Sequence, residues 1–138
     1  EELHWQYAAG WNTVSALLSH IHACEHIFRI EFIERRELNE AEQKYLIGME
    51  MGKQIPKLIT GESIDIYIAR LAESREKLIA AIEQIDAADF FEKREGYNPN
   101  TGYNLAWVLY HLAEDEVHHR GQISLIRKLY QSLHSDKK

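Results

Sequence analysis

An all-α fold is predicted for this chain on three grounds. Apolar residues recur at helical spacing in three long segments, strand-like alternation is weak throughout, and the breaks between segments hold the Gly, Pro and Asn residues of turns. With 138 residues, 45% of them hydrophobic and 28% charged, the chain suits one domain, residues 1–138, around one core. Three long amphipathic helices can close such a core, and a fourth would cover it better.

Glu1 to Trp11 lacks a period and reads as an ordered opening loop. Asn12 is the expected N-cap of a helix over Thr13 to Ile33, with Val14, Leu17, Leu18, Ile21, Cys24, Phe28 and Phe32 on its apolar side. Ser15, Ser19, His22, His26 and Arg29 fall on the opposite side, expected to be wet. His20, with Ala16, Ala23, Cys24 and Ile27 as helix neighbours, sits at the margin of the buried face. Glu34 to Leu38 is a charged connector, and Asn39 with Glu42 forms a variant capping box opening a short helix expected to reach about Gln54, before Pro56.

Lys57 to Glu62 reads as a turn. Ser63 to Ile85 is periodic again, with Ile64, Ile68, Leu71, Leu78, Ile82 and Ile85 on one stripe that Arg75 interrupts. That arginine is expected to snorkel outward; pairing with Asp115 or binding an anionic ligand are the other readings. Asp86 to Tyr103 is a long connection and a candidate lid.

Asn104 to Leu133 forms the last and longest helix. Leu105, Leu112, Ile126 and Leu133 lie seven or fourteen residues apart, and Val108 and Leu129 fill the companion seam position. Continued through the middle, the seam passes through Asp115, His119 and Gln122, so a helix apolar at both ends has a polar centre. A carboxylate in a bundle core costs several kcal/mol, by the rough scale for buried ions, unless something compensates it. A buried arginine or lysine, a water-filled cleft, or a metal ion would each do so. Asp115 and His119 stand one above the other on one helix face, close enough to chelate one cation. His118 points about 100° away from His119 and reads as solvated or supporting. His111, four residues before Asp115, is a candidate to orient its carboxylate.

Charge and composition exclude several classes. A formal net charge of −6 without a basic run argues against general nucleic-acid binding. The single cysteine, Cys24, excludes an internal disulfide and fits a reducing compartment; it reads as a small core filler. No apolar run approaches membrane-spanning length and no signal peptide is visible, so a cytoplasmic location is expected. The chain begins at Glu1 without an initiator methionine, which points to residues lost before it.

ELHWQYAAGWNTVSALLSHI, followed far downstream by HLAEDEVHHRGQISLIRK, resembles the DinB-like superfamily of bacterial four-helix metalloproteins, also named for its YfiT members. The similarity runs from Glu1 to about Tyr130, and its most specific part is the His-Arg-Gly-Gln run from His119 to Gln122. The resemblance implies an up-down-down-up four-helix bundle whose first helix is absent from this chain, leaving an apolar groove for another segment or subunit. It also implies a divalent metal held by His20, Asp115 and His119, although the commoner family residue at the position of Asp115 is histidine. Two histidines and a carboxylate with open positions suit zinc or nickel, and also manganese or iron. Some branches are transferases or isomerases that use low-molecular-weight thiols such as bacillithiol or mycothiol. The implied function is therefore a metal-dependent S-transferase acting on a small-molecule substrate, the metal activating a thiol cofactor. A metal-dependent hydrolase and a non-catalytic metal-binding stress-response protein are the alternatives. The family habit also implies a homodimer.

Overall fold

The computed structural model describes residues 1–52, 55–58, 61–94 and 102–135. Helix α1 (Val14–Phe28) passes without a break into a π-helical turn, Arg29–Ile33. Two single-turn helices follow, α2 (Leu46–Met49) and α3 (Ile55–Leu58), and then the long helices α4 (Ile64–Ile82) and α5 (Leu105–His134). Short 3-10 turns occupy Glu2–His4, Gln43–Tyr45 and Ala87–Phe90. Among the described residues there is no strand; a single antiparallel bridge joins Arg94 to Tyr103. The chain is an all-α helical bundle, as its periodicity predicts.

Helix α1 is the axis of the bundle, touching α2, α3, α4 and α5. Its direction relative to the others follows from which residues meet. Val14 and Leu17 pack on Ile126 near the end of α5, whereas Phe28 lies against His111 and Phe32 against Tyr103 near its start. Hence α1 and α5 are antiparallel. On α4, Ile64 neighbours Val14 and Leu18 while Ser74 meets Glu25, so α1 and α4 run parallel. The three long helices thus run down, down, up, the sense expected of the last three helices of an up-down-down-up bundle.

Several local expectations need correction. Thr13, not Asn12, caps α1: its side-chain oxygen accepts from the Ala16 amide at 3.1 Å, while the Asn12 side chain accepts from the Gly52 amide at 3.0 Å. The expected wet face of α1 is buried. Ser15, His22, His26 and Arg29 all lie in the interior, because α2, the Gln43–Tyr45 turn and α4 cover that side. Burial is tolerable there because most of these groups find partners. Ser15 hydrogen-bonds Thr13 and His4, His26 stacks on Tyr45, and Arg29 pairs with Glu34; Ser19 is only half-buried.

The stripe on α4 is rotated from the expected one. Ile64 and Ile68 are exposed, and the buried residues are Tyr67, Ser74 and Leu78. Tyr67 fills the α1 contact near His4, which a reading based on aliphatic residues alone passes over. The helix ends at Ile82, short of Ile85. Asn39 and Glu42 do form a reciprocal capping box, each backbone amide donating to the other's side chain, at 2.9 and 3.1 Å. The helix it opens stops at Met49; the expected end at Gln54 lies outside the described residues. The turn expected after Pro56 begins instead with α3, where Pro56 occupies the first turn and removes no helical hydrogen bond.

In α5, Asn104 caps the helix by accepting from the Trp107 amide at 2.8 Å, and Leu105, Val108 and Ile126 are buried as the seam requires. Leu133 is exposed; the last turn of α5 is covered instead at Tyr130 and His134, on which Trp5 packs. The outer face of α5 also exposes Trp107, Tyr110, Val117 and Leu125. Among the described residues, no helix is long and apolar enough to cross a membrane.

Candidate metal centre

The antiparallel packing of α1 on α5 brings the middles of the two helices together, and with them their polar residues. His20 and Cys24 stand one turn apart on α1, Asp115 and His119 one turn apart on α5. His20 Nε2 lies 3.5 Å from Asp115 Oδ2, and His119 Nε2 lies 3.1 Å from Asp115 Oδ1. The two imidazoles meet edge to face with centroids 4.8 Å apart. Both histidines are buried, and the Asp115 side chain is 20% exposed.

Each histidine is held from behind by its other nitrogen. His20 Nδ1 donates to the Gly48 carbonyl at 2.6 Å, and a carbonyl can only accept, so the hydrogen sits on Nδ1 and the Nε2 lone pair faces the centre. His119 Nδ1 donates to Gln122 Oε1 at 2.9 Å, and the Gln122 amide donates in turn to His118 at 2.9 Å. Imidazole lone pairs therefore converge on a carboxylate, an arrangement that needs a cation between them, either protons or a metal. A histidine fixed through one nitrogen and presenting the other is the usual form of a metal ligand.

Cys24 completes the cluster. Its Sγ is 3.4 Å from His20 Nε2 and 3.7 Å from Met49 Sδ. One ligand atom from each of His20, Cys24 and Asp115 lies within 4.8 Å of the others, so these three side chains form a donor set that fits a metal ion. Burial pushes the Cys24 thiol up to about 12, and the Asp115 charge beside it adds to the shift. Without a cation the sulfur is a neutral thiol and a poor nucleophile.

The competing reading for Asp115, a salt bridge to Arg75, is not what forms. Arg75 reaches Glu25 on α1 at 2.5 Å and Glu116 on α5 at 2.6 Å, so it straps three helices together beside the centre. Glu25 is buried and also accepts from the Ser74 hydroxyl at 2.5 Å. His111 does not support Asp115; it stacks on Trp107, and its carboxylate neighbour is Glu114 at 3.8 Å. The opening loop walls a cleft beside Gln122, of about 340 Å³, lined by Gly10, Trp11, Asn12, Gln122, Leu125 and Ile126. The described part of the 86–103 connection lies instead at the far end of α1, where Arg94 donates to the Phe32 carbonyl at 3.0 Å. The rest of that candidate lid, 95–101, is outside the described residues.

Two contributors escape the seam pattern. Cys24 reads as core filler, because a thiol on an apolar stripe has no polar signature, although its i+4 spacing from His20 is a usable signal. Gly48 acts through its backbone. A Cβ there would lie 2.6 Å from the Ala23 Cβ and 3.0 Å from the Ser19 carbonyl oxygen, so only glycine lets α2 approach α1 closely enough to fix His20.

A family model described as the DinB superfamily matches residues 1–123. No curated protein matches the chain.

Proposed function

From the premise that this chain belongs to the DinB superfamily, we propose that it is a divalent-metal-dependent enzyme whose ion is held by His20, Asp115 and His119. The observation that carries the proposal is the fixing of both imidazoles through Nδ1, by Gly48 and by Gln122, which turns both Nε2 atoms onto one carboxylate. Zinc and nickel suit two imidazoles and a carboxylate best, with manganese and iron also accommodated. A divalent ion there supplies a Lewis acid able to make a thiol or water acidic near neutral pH. The specific activity we propose is thiol-dependent S-transfer, with a low-molecular-weight thiol as co-substrate. The cleft beside Gln122 is of a size for a small-molecule substrate, and its Trp11, Leu125 and Ile126 walls suit an apolar electrophile. The exposed Trp107, Tyr110, Val117 and Leu125 support a homodimer, and the single thiol supports a cytoplasmic location.

A second reading, a non-catalytic metal-binding protein, is favoured by Cys24, since a fourth protein donor closes a four-coordinate site.

Elemental analysis of the untagged protein tests the metal reading. Near-stoichiometric metal is expected in the wild type and loss of most of it in His20→Ala, Asp115→Ala and His119→Ala. Wild-type protein that neither carries nor takes up a divalent ion refutes the proposal. With metal established, conjugation of a thiol to an electrophile that disappears on chelation and in His119→Ala supports the transferase. Full metal occupancy with no such activity across several thiols leaves the non-catalytic reading.

A further inference from the structure

We infer that Cys24 is a fourth inner-sphere ligand of the centre, which makes the donor set two imidazoles, a carboxylate and a thiolate and selects a thiophilic ion of the zinc class. The inference rests on the metal reading proposed above and concerns what kind of ion the site takes. The first argument is geometric. Bonds of about 2.0–2.3 Å to a tetrahedral ion place neighbouring donor atoms about 3.3–3.6 Å apart. The His20 Nε2 to Cys24 Sγ distance is 3.4 Å and the His20 Nε2 to Asp115 Oδ2 distance is 3.5 Å, so two edges of such a tetrahedron are already formed. His119 Nε2 meets the other carboxylate oxygen, Oδ1, at 3.1 Å, so it stands beside the converging His20, Cys24 and Asp115 atoms and joins them on a turn of the carboxylate.

The second argument concerns the sulfur itself. Cys24 follows His20 by one helical turn, so the ordinary geometry of α1 presents both side chains to the same point. It is buried, with the Met49 thioether behind it at 3.7 Å and the imidazole in front. A residue serving only to fill space has no need to face the same carboxylate that the histidines face. The charged groups around the cluster are otherwise engaged with one another, Glu25 and Glu116 on Arg75. Soft thiolate donors favour zinc and cuprous copper and disfavour manganese and magnesium, which prefer oxygen. A substrate atom would then enter by expansion to five-coordination, which catalytic zinc sometimes shows, or the site would be closed as in the second reading above.

Cobalt(II) substitution of the full chain is the test, because a cobalt–thiolate bond announces itself by an intense near-ultraviolet charge-transfer absorption, independent of any activity. The wild type loaded with cobalt is expected to show that absorption together with visible ligand-field bands. Cys24→Ser is expected to keep the ligand-field bands and lose the charge-transfer absorption, with zinc affinity lowered at least about tenfold and manganese affinity changed by less than about threefold. His119→Ala is expected to keep the charge-transfer absorption at higher cobalt concentration. Ligand-field bands without charge transfer in the wild type overturn the assignment of Cys24 and leave the three-ligand reading standing. Failure of the wild type to bind cobalt or zinc overturns both. The decisive spectrum is that of the wild type, so it does not depend on the folding of a variant; Cys24→Ala, checked by circular dichroism, stands in if Cys24→Ser misfolds.

Discussion

At the scale of single residues, the site depends on two groups that would touch no ion. Gly48 and Gln122 fix the tautomer and aim of His20 and His119, and loss of such supports typically lowers metal affinity by about 10–100-fold. Gln122→Leu, which keeps size and helix propensity, is expected to weaken zinc binding by that factor with little change in melting temperature. Gly48→Ala is expected to do the same and also to destabilise the fold, by about 1–3 kcal/mol, since its Cβ would overlap Ala23. Competition titration against a chelating dye reads both, and unchanged affinity in Gln122→Leu would remove its positioning role. The legibility of the site divides along the same line. His119 and Asp115 announce themselves as polar interruptions of an apolar seam, and His20 through its margin position and the family resemblance. Gly48 lies 28 residues from His20 and contributes a carbonyl, which no side-chain pattern encodes. Cys24 is silent because sulfur on a buried face is ordinary.

At the scale of helices, the approximate extents of α1, α4 and α5 are readable from period, but the cap of α1 and the faces of α1 and α4 are not. A helix that is the bundle axis is covered on every side, and its polar residues are then selected by partners on other helices rather than by water. Glu25 is the clearest case. Periodicity gives it no place in the core, yet its buried carboxylate is held by Ser74 and Arg75 from α4, while Arg75 also reaches Glu116 on α5. Arg75→Met is therefore expected to destabilise the protein by about 2 kcal/mol, less than for a fully buried pair because the Arg75 side chain is half exposed. Most of that cost is the stranded Glu25 charge, so Glu25→Gln in the Arg75→Met background should recover part of it. A double-mutant cycle from urea unfolding measures this coupling. Additive effects of the two substitutions would mean that the strap contributes nothing as a pair.

At the scale of the whole molecule, the histidines buried on the far side of α1 make stability depend on pH independently of any metal. His22 is lowered to about 4, by burial first and then by the charges of His26 and Arg70; Glu73 opposes them weakly. The groups facing it from the other elements are Lys44 and Tyr45 across the α2 side and Arg70 and Glu73 on α4. His26 is lowered as well, chiefly by burial. With the folded value below the unfolded one, near 6.5, the unfolded chain binds more protons through this interval, so stability rises with pH there. The stabilisation is complete above pH about 6.5 and is lost as pH falls toward about 4. Glu42, held down to about 2 by hydrogen bonds from Arg36 and the Asn39 amide, acts only in the interval below, under its ordinary value of 4.5. Each unit of depression corresponds to about 1.4 kcal/mol, and partial solvent access reduces it, so His22 should cost about 1–2 kcal/mol between pH 7.5 and 5. Urea unfolding of chelator-treated protein at those two pH values gives the comparison, with His22→Asn as the variant. The variant should be less stable than the wild type at pH 7.5 but lose less on acidification, because it lacks the buried imidazole that the unfolded chain protonates first. Equal losses would place the acid sensitivity outside His22, with His26 the next residue to substitute.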